Sequence, residues 1–166
     1  AIVTYKGKII GKGYNQIEQL QDATAHAEII AITSAENTIG NWRLKDCDLF
    51  VTLEPCIMCS GAIINSRIRN VYFGAYDQKF GGCSSLYNLC NDPRLNHKCG
   101  VKGGILEIHS NWILNEFFSI EVLKEGISHC YSSTFKTKTE ERFNKTQDNL
   151  NCQHSLIKLT RKSICF

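Results

Sequence analysis

Several things are scarce in this chain of 166 residues. Proline occurs only twice, so no proline-rich linker divides it. No apolar run approaches the roughly 18 residues that span a bilayer. The opening Ala1–Lys8 lacks the charged-then-apolar layout of a leader peptide. An integral membrane protein or a classically secreted one is therefore not expected. Charge of one sign is scarce too: 19 basic against 16 acidic residues leave a net +3. Residues 1–118 carry 11 of each sign and are neutral, so the whole excess falls in residues 119–166. The first part would have to hold any nucleic acid through local patches and shape, not bulk charge.

Cysteine, by contrast, is abundant. There are nine, an odd number, at 47, 56, 59, 83, 90, 99, 130, 152 and 165. A secreted disulfide scaffold is usually shorter and pairs its cysteines. Without a leader peptide, most of these read as reduced thiols of the cytosolic type, buried as small apolar side chains. Hydrophobic residues make up 43% of the chain, enough for a globular core.

Residues 1–14 read as two short strands around Tyr5-Lys6-Gly7-Lys8, a hairpin. Residues 15–22 are polar and predict a loop. Asp22 or Thr24 can cap a helix over about 25–36. Cys47–Leu53 is a nearly continuous apolar run of strand length, the pattern of an interior strand covered on both faces. Pro55 suits the first position of a helix to about Asn65. Asn70–Ala75 predicts a strand, 76–97 a long loop of the kind that is either functional or disordered, 105–108 a strand and about 110–124 a helix. Alternating strands and helices give an α/β class, with helices covering a mostly parallel sheet after the hairpin. After Gly126 periodicity fades, and 16 of the residues from 119 to 166 are Ser, Thr, Asn or Gln. The expected organisation is one domain over 1–126 and a polar, disordered extension over 127–166.

The chemistry concentrates in His26-Ala27-Glu28 and Pro55-Cys56-Ile57-Met58-Cys59. Each half alone is weak, and a Cys-x-x-Cys by itself also suits a thiol-disulfide protein. Together they are more specific. Cys56 and Cys59 are three apart at a helix start, so their sulfurs share a face, and the positive end of that helix favours thiolates. If the helix behind His26 starts at the same end of the sheet, one imidazole and two thiolates meet at one ion. Three ligands with an open fourth position describe a catalytic zinc, which would bring the pKa of a bound water to about 7. Glu28, two residues from the ligand His26, is then placed to move protons.

Around these motifs the chain resembles the bacterial-type tRNA-specific adenosine deaminases, within the cytidine/deoxycytidylate deaminase superfamily. The resemblance runs from Ala1 to about Phe118. It rests on Asp22–Glu28, Thr52–Cys59, Ser66–Ile68, Phe73–Asp77, Ser85–Asn88, Asp92–His97, Gly103–Leu106 and Phe117-Phe118. It implies a three-layer α/β/α fold with a mixed central sheet, here lacking the usual N-terminal helix. It implies one zinc per chain on His26, Cys56 and Cys59, with Glu28 as proton shuttle. Asn15 would contact the target base. Asp77 and the segment carrying Arg94, Asn96 and His97 would meet the tRNA anticodon loop, and Phe117 and Phe118 would pack around flanking nucleotides. The reaction would turn adenosine into inosine at the wobble position. A homodimer and a cytoplasmic location, with an organelle as the other option, follow from the same resemblance. The tail from about Ser119 has no counterpart there.

Three other readings compete. A zinc deaminase of a free guanine or cytosine base or nucleoside would share the zinc motif but not the segments at 92–97 and 117–118. A non-catalytic zinc-stabilised module would have no use for Glu28. A thiol-disulfide protein would leave His26 and Glu28 a coincidence.

Overall fold

The computed structural model describes the backbone of residues 1–130 and the side chains of residues 1–119. Ala1–Ser119 forms one compact unit, and the site lies wholly within it. The features expected of the tail beyond Cys130 lie outside the described residues.

The first two strands, β1 (Ile2–Tyr5) and β2 (Lys8–Lys12), form a hairpin over Lys6-Gly7. Both turn residues have positive φ, 50° and 75°, as a two-residue turn of matching twist demands. A single helical turn, α1 (Ile17–Leu20), interrupts the expected loop. Next come α2 (Ala27–Ile39), β3 (Cys47–Leu53), α3 (Ile57–Asn65) and β4 (Asn70–Ala75). A 3-10 turn (Leu89–Asn91), β5 (Gly100–Lys102) and α4 (Glu107–Cys130) complete the described chain.

The sheet order is β2-β1-β3-β4-β5. β1 runs antiparallel to both of its neighbours, whereas β3, β4 and β5 are parallel, so the sheet is mixed and the strands after the hairpin are parallel, as expected. Val3 pairs with Leu49 and Leu49 with Val71, so one row of fully buried residues crosses three strands. Ala31, Ala35 and Ile63 of α2 and α3 close over that row. The small residues let α2 approach closely. A side chain added at Gly11 of β2 would run into the Ala31 carbonyl oxygen and come within 2.8 Å of the Ala35 nitrogen. Gly11→Val should therefore force α2 off the sheet, at a cost of about 1–3 kcal/mol for overpacking. The check is a lower urea midpoint with an unchanged slope.

Three expectations are corrected. β3 is not covered on both faces: Phe50 and Thr52 are exposed, and Phe50 stacks on Tyr72 of β4 with centroids 4.8 Å apart. The apolar run misled because stacking by a neighbouring strand shields only part of an aromatic side chain. On that same face Ser110 of α4 reaches Gly74 of β4. The last strand lies at 100–102 instead of 105–108, because Gly104 and Leu106 adopt positive φ and lead the chain into α4. Pro55 is not in the first turn of its helix, and neither Asp22 nor Thr24 is the cap of α2. Pro55 precedes the true cap, Cys56, and His26 caps α2.

The long loop after β4 is anchored from within. The Leu89 amide donates to the Gly82 carbonyl at 2.9 Å, and the Cys99 amide to the Cys90 carbonyl at 2.8 Å. Cys83, Cys90 and Cys99 are buried in the core, as is Cys47, in keeping with reduced structural thiols.

Candidate active site

Two helix starts build the site at the carboxyl ends of the parallel strands. Asp22 Oδ1 accepts from the Thr24 amide (2.8 Å) and hydroxyl (2.7 Å), which tightens the turn leading into α2. His26 then caps α2 in extended backbone, and its carbonyl takes the first helical bond, from the Ile30 amide. Thirty residues on, β3 ends and Cys56 caps α3 in the same extended conformation. The Ser60 amide donates to the Cys56 carbonyl at 2.8 Å, and Cys59 falls in the first helical turn.

These starts bring His26 Nδ1 to 3.7 Å from Cys56 Sγ. The ligand atoms of His26, Cys56 and Cys59 all lie within 4.8 Å of one another. Ligands on a tetrahedral zinc, with Zn–S and Zn–N of about 2.3 and 2.0 Å, stand roughly 3.5 Å apart. The donor set and spacing therefore fit zinc, and imidazole with thiolates selects it over harder ions.

The electrostatics are those of a site built for a cation. The Cys59 thiol hydrogen-bonds to Cys56 and, against the cost of burial, brings Cys56 down to about 5, helped by backbone amides and His26. Cys59 is correspondingly pushed up by Cys56, by its own burial and by nearby Glu28. Glu28 sits in the first turn of α2 and is only 7% exposed. Burial raises its carboxyl above the usual range, and the Cys56 charge adds to this. Its own backbone amide and His26 act the other way. A buried carboxyl so placed can hold a proton beside the metal ligands.

The profile of the cytidine and deoxycytidylate deaminase zinc-binding region matches residues 1–75. A tRNA-specific adenosine deaminase of Streptococcus pyogenes serotype M18 (strain MGAS8232) is 49% identical over 117 residues. That stretch is 70% of this chain and 74% of that protein. The chain belongs to the family of tRNA-specific adenosine deaminases. The family member of Aquifex aeolicus (strain VF5) is 47% identical over 118 residues, 71% of this chain and 78% of its own length. A solved structure from biochemical and structural studies of A-to-I editing by tRNA:A34 deaminases at the wobble position of transfer RNA is also similar. It is 40% identical, with a TM-score of 0.65 over 68% of this chain and 81% of that one.

The other residues singled out from the sequence do not join this cluster. Asn15 is exposed, and its Oδ1 accepts from the Ile17 amide at 3.1 Å. Asp77 Oδ1 accepts from the Lys79 and Phe80 amides and shapes the turn after β4. The exposed Arg94 pairs with Asp92 at 2.6 Å. Asn96 accepts from Arg67 Nη1 at 2.6 Å, and His97 Nε2 meets the Ile68 carbonyl at 2.7 Å. Those two bonds moor the 92–99 segment to the turn between α3 and β4. Phe117 and Phe118 are both exposed and meet edge to face at 5.5 Å.

One residue at the site had no role assigned from the sequence. Glu54 is 2% exposed, and its carboxylate accepts five hydrogen bonds from the loop 77–85. Burial works to raise its carboxyl, but those donors, led by the Ser85 hydroxyl, hold it below the usual range. The only signal in the sequence is a charged residue between an apolar strand and a proline.

Proposed function

We propose that this chain hydrolyses adenosine to inosine at the wobble position of transfer RNA, with one zinc held by His26, Cys56 and Cys59. The observation that carries the reading is the buried Glu28 carboxyl beside a three-ligand zinc cluster, in a chain of this family. A purely structural zinc site has no need of such a carboxyl, and it takes four ligands.

When bound, zinc supplies a Lewis acid that lowers the pKa of water to about 7. Glu28 does the proton work. A carboxylate oxygen takes a proton from the water that attacks C6 of the adenine and delivers it to ring N1. The same oxygen carries the second proton to the N6 amino group, which departs as ammonia. Adenosine and water thus become inosine and ammonia. Burial of Glu28 keeps these transfers away from bulk solvent, and its fixed place in the first turn of α2 sets their geometry.

The RNA surface is drawn from the exposed residues around the site. Phe117 and Phe118 offer two open aromatic faces, and base stacking of that kind is worth about 1–3 kcal/mol per base. That suits a neutral domain, which gains little from phosphate attraction. Asn15 reads the target base, and Asp77, Arg94, Asn96 and His97 meet the anticodon loop. Arg94 and Asn96 are supported by their exposure, His97 and Asp77 by the loops they order. Two copies form the working unit, located in the cytoplasm; both readings rest on family membership. Among the described residues no helix is long and apolar enough to cross a membrane.

The test is an anticodon stem-loop carrying a wobble adenosine, incubated with zinc-loaded chain and sequenced. Inosine at the wobble base alone is expected, with free adenosine, guanine and cytidine untouched. A folded, zinc-loaded sample that leaves the stem-loop unchanged but deaminates one of the free compounds would replace this reading with that substrate.

A further inference from the structure

We propose that Glu54 is a positioning residue: its carboxylate occupies an anion nest in the loop 77–85 and thereby holds one wall of the RNA site against the zinc-ligand turn. The inference rests on the deaminase reading above but concerns a residue that takes no part in proton transfer.

The geometry is unusually complete for a single side chain. Oε1 accepts from three consecutive amides, those of Cys83 (3.2 Å), Ser84 (2.7 Å) and Ser85 (2.8 Å). Oε2 accepts from the Asp77 amide at 3.1 Å and from the Ser85 hydroxyl. Consecutive amides converging on one point form the concavity that elsewhere binds a free anion. Here the anion is part of the chain. Among the described residues Glu54 has no cationic partner, since the ion pairs are Arg69–Asp48 and Arg94–Asp92. A buried carboxylate without a cation must be satisfied by donors, and every donor comes from one loop, 23 to 31 residues downstream.

That loop is also pressed onto the ligand turn. Cys56 forms an isolated bridge with Gly81, and the Gly82 amide donates to the Pro55 carbonyl at 2.8 Å. A side chain at Gly81 would come within 2.6 Å of Glu54 Oε2, and one at Gly82 within 3.0 Å of the Cys56 backbone. Glu54, two residues before a metal ligand, therefore locks Asp77–Ser85 to Cys56 with no slack. That stretch and its flanking residues expose Tyr76, Phe80, Ser84 and Tyr87 to solvent, where an RNA loop would lie. A loop held in one state binds with its full affinity. One that samples others binds more weakly by the fraction of time it is competent.

Glu54→Gln keeps the size of the side chain but turns an NH2 toward the Asp77 amide, where an acceptor is needed. The expected result is a KM for the stem-loop raised about tenfold, with kcat within about threefold of the parent and one zinc per chain retained. Amide hydrogen exchange at Cys83–Ser85 should quicken while α2 and α3 stay protected. Ser85→Ala removes one donor and leaves the four amides. It should raise KM about twofold to threefold and quicken the same amides, and it decides the matter if the glutamine variant does not fold. An unchanged KM in the variants that fold overturns the proposal, as does a loss of kcat alone or of zinc. A parent chain that makes no inosine speaks instead against the deaminase reading. In that event exchange at Cys83–Ser85 in the two variants still tests the clamp.

Discussion

Glu28→Gln should cut inosine formation by about 10²–10⁴-fold, the usual worth of a placed general acid–base, while one zinc per chain stays bound. Glutamine matches glutamate in size, so a residue only 7% exposed can be replaced without opening a cavity. It cannot accept the proton of the attacking water, so the loss should fall on kcat and leave stem-loop binding near the parent value. His26, Cys56 and Cys59, the proposed zinc ligands, cluster without Glu28, so metal analysis should show the stoichiometry unchanged. Turnover surviving in the zinc-loaded variant would remove Glu28 from the mechanism. Zinc lost together with turnover would make it a support of the metal site.

The second large effect concerns the metal. Cys59→Ser should lower zinc from one per chain to a small fraction of that and abolish turnover. A hydroxyl is a poor zinc ligand beside a thiolate, and the two remaining ligands cannot hold the ion alone. Because the ion binds the folded chain, it should stabilise the fold, by about 4 kcal/mol at a thousandfold excess over its Kd. For a chain of this size a chelator should then lower Tm by roughly 10 °C. In Cys59→Ser the chelator should move Tm little, since there is little to remove. A chelator shift of equal size in parent and variant would place the stabilising ion elsewhere.

Much of this site could be read in the sequence because its parts are local. His26 and Glu28 are two residues apart, and Cys56 and Cys59 share one helix start. Only the meeting of the two helix starts needed the fold, and from the sequence it stood as a condition. Cys47–Leu53 and Asn70–Ala75 were legible as strands because a dense apolar run with β-branched or aromatic residues is its own signal. Gly100–Lys102 carries no such signal, and its pairing comes from β4 alone. Ile105 and Leu106 looked like strand but lie past a glycine turn. Glu54 stayed hidden for a related reason: its partners are all more than twenty residues away, and no spacing rule joins a carboxylate to distant amides. Asn96 and His97 were picked out for the RNA, and the structure adds the mooring contacts to Arg67 and Ile68 that local sequence could not reveal.

The open ends of the sheet bear on the chain's behaviour in a crowded solution. Among the described residues the two outer strands are β2 and β5. An outer strand offers unpaired amides and carbonyls to any extended peptide, and long flat apolar ones seed aggregates. β5 has three residues, too few to template much. β2 has five, but begins and ends in exposed lysines, Lys8 and Lys12, and the ladder beside it breaks register between Val3 and Thr4. A second chain adding at β2 would have to bring its own backbone past two ammonium groups and a kinked partner. The same hairpin that starts the fold thus discourages fibrous self-association.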